Sequence, residues 1–248
     1  MRLNRYLAHA GVASRRKADE IIAGGDVKVN GKVVLEMGYK VMPDDKVTYQ
    51  GKPIVPEKLV YILLNKPKNY ITTTSDERGR KTVMELVKPL YRRMPELEHF
   101  RLYPVGRLDR NTTGVLLITN DGDLAQNLMH PSRNIGKVYF AKLDKNISQR
   151  HMQQLTEGVQ LEEGTAKADA VAWPDPDNRK EVGLDMHMGW NRVVRRMFDA
   201  LGYEVIRLDR TSFAGLTKKD LPRGKVRFLR DEEVIKLKHL GNKQHKKG

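Results

Sequence analysis

One acidic side chain stands between two arginines in the segment Gly106 to Gly114, which reads GRLDRNTTG. The acid is Asp109, its flanking cations are Arg107 and Arg110, and an apolar strand pattern begins directly after the segment. Flanking cations favour the ionised form of a carboxylate, which suits a nucleophile or an electrostatic partner better than a general acid. A purely structural ion pair fits the same spacing equally well.

Other catalytic chemistries find no support in the chain. It contains no cysteine, which excludes disulfides, a thiolate nucleophile and cysteine-liganded zinc. The seven histidines form no HExxH pair, and His130 and His187 stand apart from any close carboxylate cluster in the sequence. No GxxxxGKS or GxxxxGKT phosphate-binding loop is present. We therefore expect neither a metal ion nor a cofactor.

The elements that must position Asp109 can be predicted around it. Buried strands are indicated over Val60 to Leu64, closed by Lys66-Pro67, and over Val115 to Thr119. Four helices are predicted. Thr82 begins the first, which Pro89 limits, and Asp123 begins the second. The third runs from Ser148 to Glu157, and the fourth runs from Val193 to Leu201 and ends before Gly202. Several further strands lie between Thr165 and Met188, so strands outnumber helices. The pattern predicts an α+β core, a mixed and largely antiparallel sheet flanked by helices.

The first part of the chain has a different texture. A short helical pattern over Leu3, Leu7 and Ala10 ends at Gly11, and Ser14 is placed to cap a second helix that runs to about Ala23. Three adjacent cations occupy the first turn of that helix, where the helix dipole disfavours them. They are either an ordinary solvated face or a place where phosphates gather. An Asn30-Gly31 pair inside an alternating apolar stretch then predicts a hairpin.

The overall charge points to a polyanionic partner. The chain has 46 Lys and Arg against 31 Asp and Glu, a formal net charge of +15. Nucleic acid is the leading candidate, although many proteins are mildly basic without binding anything. No apolar run is long enough to span a bilayer, and the N-terminus lacks the apolar core of a signal peptide, so we expect a cytoplasmic protein.

Two short helices, a basic helix start and a lysine-bearing hairpin together resemble the S-four RNA-binding domain, named after a small-subunit ribosomal protein. The resemblance covers about residues 1 to 58 and implies a module that grips folded RNA. Seven residues match positions that usually face the nucleic acid, namely Arg5, Ser14, Arg15, Arg16, Lys28, Asn30 and Lys32.

The segment GRLDRNTTGVLLITNDGDL closely resembles the catalytic motif of the RsuA family of rRNA pseudouridine synthases, which includes the RluB-type enzymes. Other family landmarks follow in order: Lys66-Pro67, Lys137-Val138-Tyr139, and NRVVRRMF from Asn191 to Phe198. With the N-terminal module, the resemblance spans nearly the whole chain. It implies an isomerase that breaks the bond from sugar to ring nitrogen in uridine, turns the uracil and rejoins it through a ring carbon.

The resemblance also implies roles for single residues. Asp109 is the catalytic aspartate, Arg195 its partner, and Tyr139 the ring packed against the flipped uracil, although Tyr139 also fits a plain core position. Asp109 acts by covalent attack or by taking a proton from the sugar, and the sequence leaves both routes open. Four further cations are expected to contact RNA, with Arg107 and Lys137 holding phosphates or fixing the loop: Arg107, Lys137, Arg192 and Arg196.

Two positions depart from the family pattern. Val193 stands where the family usually has Gln, which removes an amide beside Arg195. Asn69 replaces a Gly after Lys-Pro, a mild change because Asn tolerates the left-handed backbone that Gly would supply.

We interpret the chain as two domains and a tail. Residues 1–58 form the small α/β RNA-binding module, residues 59–235 the catalytic domain, and residues 236–248, with five lysines and no acid, a basic tail that we expect to be disordered. The expected partner is ribosomal RNA and the expected state is a monomer.

Large-subunit rRNA is the favoured target, on the module, the HPS run from His130 to Ser132 and the basic tail. Small-subunit rRNA is the alternative substrate, and a non-catalytic RNA-binding ribosome assembly factor is the alternative function. A metal-dependent RNA hydrolase would need a ligand cluster that the sequence does not offer.

Overall fold

Two short helices and a four-stranded sheet form the N-terminal module in the computed structural model, which describes residues 1–242. The elements are α1 (Leu3–His9), α2 (Arg15–Ala23), β1 (Val27–Val29), β2 (Lys32–Val33), β3 (Val47–Tyr49) and β4 (Lys52–Pro53). The strand order is β2-β1-β3-β4. Leu7 and Ile22 of the helices pack with Val27 and Val29 of β1, so the module has its own apolar core.

Local signals in this module act as predicted. Ser14 Oγ accepts a hydrogen bond from the backbone N–H of Lys17 at 3.3 Å, which caps α2. Asn30 and Gly31 both have positive φ, 51° and 80°, as a two-residue hairpin turn requires. The predicted second helix and hairpin are confirmed.

The larger part of the chain is built on one twisted sheet whose main path runs β11-β12-β8-β13-β7-β5-β15. The strands after the module are β5 (Tyr61–Lys66), β6 (Tyr103–Pro104), β7 (Thr113–Thr119), β8 (Lys137–Leu143), β9 (Val159–Leu161), β10 (Gly164–Ala166), β11 (Ala170–Ala172), β12 (Glu181–Met186), β13 (Val205–Phe213), β14 (Leu216–Thr217) and β15 (Val226–Phe228). β9 and β10 pair with each other in a separate two-stranded sheet, and the others form the large sheet. The helices are α3 (Gly122–Met129), α4 (Gln149–Glu157), α5 (Val193–Ala200) and α6 (Asp231–Asn242). Within residues 1–242 every strand pair of this sheet is antiparallel except β7 with β13. The predicted mixed, largely antiparallel sheet flanked by helices is confirmed.

Both faces of the central strands are covered. Every residue of β5 and of β7 is buried, because α3 and α6 pack on one face and a series of 3₁₀ turns packs on the other. The turns are Val83–Leu86, Lys88–Arg92 and Pro95–Glu98. Pro89 lies inside the second turn and does not end the helical path, since a proline in a first turn needs no N–H partner. A separate apolar cluster lies between β8, β12, α4 and α5.

Gly114 allows the parallel contact between β7 and β13. Its φ is +113°, and a Cβ at this position would lie 2.1 Å from the backbone oxygen of Arg210. A side chain here would push apart the two strands that carry Thr113 and Asp209. The glycine that closes the GRLDRNTTG segment is therefore required for the close approach of the strand that follows Asp109.

The module contacts the larger domain through the start of α3. Asp123 faces Arg5 in a short ion pair, His9 at 3.4 Å and Arg15 at 3.9 Å. Nearby, the Asn120 amide donates to Glu57 at 3.1 Å. Both Arg5 and Arg15, expected to face RNA, lie against the catalytic domain in this structure.

The C-terminal segment differs from expectation. Residues 236–242 were predicted to belong to a disordered tail but continue helix α6, because Leu237 is completely buried in the cluster that contains Leu124. Gly241 also approaches α3 closely, since a Cβ there would lie 3.1 Å from Leu124 Cδ1. The rest of the predicted tail, residues 243–248, lies outside the described residues. No helix within the described range is long and apolar enough to cross a membrane.

Candidate active site

A cavity of about 710 Å³ opens beside the segment that carries Asp109. We call residues 106–112 the Asp109 loop. The other walls of the cavity are formed by residues 128–139, by residues 187–194, which lead into α5, and by β13. A cavity of this size accepts a ligand as large as a nucleotide.

A buried lysine holds the Asp109 loop from below. Lys66 is completely buried at the end of β5, and its Nζ donates to the backbone oxygens of Asp109 at 2.9 Å, Arg110 at 3.3 Å and Thr112 at 2.8 Å. Burial lowers the pKa of Lys66 to about 8, against the attraction of Asp109. Asn69 donates its backbone N–H to Arg110 O at 2.9 Å from a left-handed conformation with φ 70°, as its replacement of a Gly predicted.

A second polar cluster fixes the strands under the loop. The buried carboxylate of Asp209 accepts from Thr113 Oγ1 at 2.8 Å, from Arg223 at 3.0 and 3.1 Å, and from Lys218. Burial alone would raise the pKa of Asp209, but these hydrogen bonds outweigh it and hold the pKa below its usual value. Arg223 also donates to Asn65 Oδ1 at 2.6 Å, which joins β5 to β13.

The cation nearest to the Asp109 carboxylate is Arg192. Its Nη1 lies 3.7 Å from Asp109 Oδ2, and the carboxylate is one-third exposed to the cavity. Arg192 adopts a left-handed backbone, φ 50° and ψ 27°, which is costly for a residue with a Cβ. This conformation occurs where the chain turns into α5, and it suggests that tertiary contacts hold Arg192 at the carboxylate.

Arg195, the partner implied by the sequence, makes a different direct contact. Its Nη1 donates to Val205 O at 2.6 Å, and no ion pair to Asp109 forms in this structure. Burial and the neighbouring Arg192 lower the pKa of Arg195, while Asp109 acts in the opposite direction. Arg195 thus lies within the electrostatic field of Asp109, behind Arg192.

Tyr139 forms one wall of the cavity on β8. It is half-buried and packs against two apolar clusters. Directly across the β8–β13 pair lies Arg210, which is almost completely buried, donates to Val115 O at 2.9 Å and stacks 4.7 Å from the Phe213 ring. Burial lowers the pKa of Arg210, and Tyr139 counteracts this. A phenol ring backed by a buried cation can present a flat face to a planar ring in the cavity.

Two further predicted cations have protein partners. Lys137 is mostly buried and donates to Ile135 O at 3.0 Å and to His187 O, so it fixes the cavity wall. Burial and the neighbouring Arg210 lower the pKa of Lys137 to about 8. Arg196 forms a two-pronged pair with Glu163, 2.8 Å at each contact.

The N-terminal residues divide into three groups. Arg5 and Arg15 face Asp123. Ser14 caps α2, and Asn30 ties the hairpin to Asp45 at 2.8 Å. The remaining three are exposed and available to a partner: Arg16, Lys28 and Lys32.

Sequence reasoning missed three features. Lys66 was noted as a landmark but not as an anchor of the loop, and Arg210 had no local signal because its contacts are distant in sequence. His187, which the sequence places apart from any close carboxylate cluster, has one carboxylate partner that the sequence did not indicate: its Nδ1 lies 2.5 Å from Asp169 Oδ2 because β11 pairs with β12. In the part of the chain that the structure describes, no three His, Asp or Glu side chains come together to hold a metal ion.

The arrangement combines a carboxyl group with cations and an aromatic ring around one cavity. Such a carboxylate can attack an electrophilic carbon or take a proton, and the ring can stack on a planar ligand.

Comparison with known proteins agrees with this geometry. The family described as RNA pseudouridylate synthase matches residues 60–200, and the S4 (S-four) domain matches residues 1–47. Ribosomal large subunit pseudouridine synthase B of Bacillus subtilis (strain 168) is 43% identical, over 97% of this chain and 97% of its own. An uncharacterized RNA pseudouridine synthase of Aquifex aeolicus (strain VF5) is 40% identical, over 96% of this chain and 93% of its own. A crystal structure of a pseudouridylate synthase superposes with a TM-score of 0.65 at 27% identity, covering 96% of this chain and 99% of that one.

Proposed function

The chain belongs to the RNA pseudouridylate synthase family and is an isomerase, and on that premise we propose that it converts one uridine of large-subunit ribosomal RNA to pseudouridine. The observation that carries the proposal is the cavity that Asp109, Tyr139 and Arg192 line together, with Arg192 3.7 Å from the carboxylate. The large-subunit target is supported by the Bacillus subtilis relative, whose name assigns that enzyme to the large ribosomal subunit.

We propose that the target base leaves its stack and enters the cavity, where Tyr139 packs against the uracil ring. The sugar then lies at Asp109. The bond between the sugar carbon and the ring nitrogen breaks, the ring turns, and a ring carbon bonds to the sugar. That carbon loses its proton and the ring nitrogen gains one, so the product is an isomer of the substrate.

Two routes use the same carboxylate. Asp109 forms a transient covalent bond to the sugar, or it removes a proton from the sugar. Both need the ionised acid, which Arg192 stabilises at 3.7 Å and Arg195 supports from behind. Lys66 fixes the backbone oxygen of Asp109 itself, so the carboxylate is presented from a rigid loop.

The N-terminal module, residues 1–58, binds a folded rRNA element in this proposal, and residues 59–235 carry the chemistry. Arg16, Lys28 and Lys32 are exposed for phosphate contacts. Of the predicted catalytic-domain contacts, Arg107, Lys137 and Arg192 border the cavity. We also propose that the protein acts as a monomer, because the cavity is complete within one chain. We further propose that it acts in the cytoplasm.

The test is to map pseudouridines in rRNA from cells that lack this gene, and from the same cells supplied with the wild-type chain or with Asp109→Asn. We expect one site of large-subunit rRNA to disappear, to return with the wild type and to stay absent with Asp109→Asn. A missing site in small-subunit rRNA would redirect the substrate assignment. No change at any site would favour a ribosome assembly factor.

A further inference from the structure

A second, smaller groove borders the Asp109 loop. It has a volume of about 340 Å³ and lies between this loop and the segment from Ile71 to Arg80. Four residues line both the groove and the larger cavity, namely Arg107, Leu108, Asp109 and Asn191. The Asp109 loop is therefore a wall between two cavities, and its carboxylate borders each of them.

Cations dominate the exposed surface of this groove. Arg107 and Arg110 are exposed, and within residues 1–242 neither guanidinium has a hydrogen bond or an ion pair. The third cation, Arg80, covers the carboxylate of Asp76, whose side chain is only 6% exposed while that of Arg80 is 47% exposed.

Two acids line the groove, Asp109 and Asp76, and Arg80 neutralises the charge of Asp76. Arg80 Nη2 lies 2.6 Å from Asp76 Oδ1, and the backbone N–H of Arg80 donates to Asp76 Oδ2 at 2.7 Å. These hydrogen bonds lower the pKa of Asp76 to about 2, so the acid stays ionised and continues to hold Arg80. The groove thus presents the guanidinium groups of Arg107 and Arg110 and the hydroxyl group of Ser75, which is the chemistry that binds a phosphodiester, while the Thr73 hydroxyl already donates to Ser75 O at 2.9 Å.

The two walls of the groove are bonded to each other. Thr72 Oγ1 donates to Leu108 O at 2.8 Å and accepts from Leu108 N at 3.2 Å. The backbone N–H of Asn69 reaches Arg110 O at 2.9 Å. A ligand in the groove would therefore rest on the same rigid frame that positions Asp109.

Resting on the proposed function, we propose that this groove binds the phosphate of a nucleotide adjacent to the target uridine, with Arg110 as its main contact. With the uracil in the larger cavity and its sugar at Asp109, the RNA strand continues through a phosphate on each side of that sugar. The groove meets the cavity at Asp109, so one of these phosphates can enter it. Engagement of the groove would fix the sugar against the carboxylate.

The experiment uses three full-length proteins: wild type, Arg110→Gln and Arg150→Gln. The last removes the same charge from α4, which lines neither cavity. Each is assayed on a large-subunit rRNA fragment that contains the mapped site, and on two fragments in which the phosphate on one side of the target is replaced by an uncharged methylphosphonate. Single-turnover rates and dissociation constants are measured for every pair.

For wild type and Arg150→Gln, we expect one methylphosphonate position to lower the ratio of the single-turnover rate to the dissociation constant about ten- to a hundredfold, the range for one charge-assisted contact. Arg110→Gln should show the same loss on the unmodified RNA and no further loss on that methylphosphonate RNA. Additive losses, or wild-type rates that neither methylphosphonate changes, would overturn the proposal. If the wild type forms no pseudouridine on unmodified RNA, the proposed function fails. The dissociation constants of the same three proteins for the same RNAs then still test whether the groove binds a phosphate.

Discussion

Replacing Lys66 by Met tests whether the buried ammonium positions the Asp109 loop. Met has a similar length but cannot donate, so the carbonyls of Asp109 and Thr112 lose contacts of 2.9 and 2.8 Å. Asp109 O keeps the backbone N–H of Thr112 as a donor at 3.0 Å, so the loss falls mainly on Thr112 O. A buried acceptor left without a partner costs about 1–3 kcal/mol. Against this, the charged lysine is itself costly to bury, because burial lowers its pKa from 10.5 to about 8. That difference corresponds to about 3 kcal/mol.

The two contributions are similar in size and opposite in sign. We therefore expect the free energy of unfolding of Lys66→Met near neutral pH to lie within about 2 kcal/mol of the wild-type value. Turnover should respond differently, because a shift of about 1 Å in a catalytic group costs on the order of a hundredfold in rate. The matched control is Lys68→Met, which changes an exposed lysine of the same segment and should alter neither quantity.

The dependence of stability on pH gives a second readout. The folded-state pKa of Lys66 lies below its unfolded value, so the unfolded chain binds more protons between about pH 8 and 10.5. The cost of burying the charge is thus fully present below about pH 8, and stability rises as pH increases through this window. Urea titration at about pH 7 and about pH 10 measures the free energy of unfolding of wild type and Lys66→Met. Between these pH values the wild type should gain up to about 3 kcal/mol of stability relative to the variant.

Full kcat in a folded Lys66→Met protein would refute the positioning role. An unchanged stability difference between the two pH values would refute the buried charge. If Lys66→Met failed to fold, the free-energy cost of the unpaired carbonyl would exceed the gain from removing the buried charge by far more than about 2 kcal/mol, which would contradict the expected balance.

Four further outcomes are expected. Asp109→Asn should reduce pseudouridine formation to background while rRNA binding and the melting temperature stay near wild type, and substantial turnover in the folded variant would contradict the proposed chemistry. Arg192→Gln should lower kcat at least tenfold, because Arg192 lies 3.7 Å from the Asp109 carboxylate, and should change stability little, because its side chain is exposed. An increase in KM of the same size with an unchanged kcat would indicate that Arg192 contacts RNA only. Asp123→Asn should release Arg5 and Arg15 for phosphates, tighten binding of an rRNA fragment and steepen its salt dependence by up to about two counterions; unchanged binding would mean that these arginines do not reach RNA. Turnover should persist in excess chelator, and rescue of a chelator-inactivated enzyme by a divalent ion, with the RNA still folded, would count against metal-free chemistry.

Local signals were sufficient wherever neighbouring residues determine the structure. Ser14 caps a helix because its own hydroxyl reaches the next turn, and Asn30-Gly31 turns a hairpin because both residues tolerate positive φ. The roles of Asp109 and Tyr139 came from the family motif, and they remain predictions that the mutants above can check.

Contacts between distant segments could not be predicted in this way. Lys66 meets the Asp109 loop only because β5 and β7 are neighbours, and His187 meets Asp169 only through the β11–β12 register. The segment from Lys236 to Gly248 predicts a tail because it has five lysines and no acid, but its first residues continue α6, whose Leu237 is completely buried. Composition describes the solvent-facing side of such a helix and gives little weight to the few side chains that dock it.

The difference between Arg192 and Arg195 shows how this fold separates two tasks around one carboxylate. The loop backbone is fixed by the fully buried Lys66 and by the partly buried Thr72, so Asp109 needs no flexible partner to hold its place. Arg192 lies half-exposed at the cavity, where it can respond to RNA, while Arg195 is anchored to a backbone oxygen. A substrate phosphate can therefore contact Arg192 without disturbing the loop. The carboxylate would then meet its substrate in an unchanged position, with Arg195 maintaining positive potential behind it.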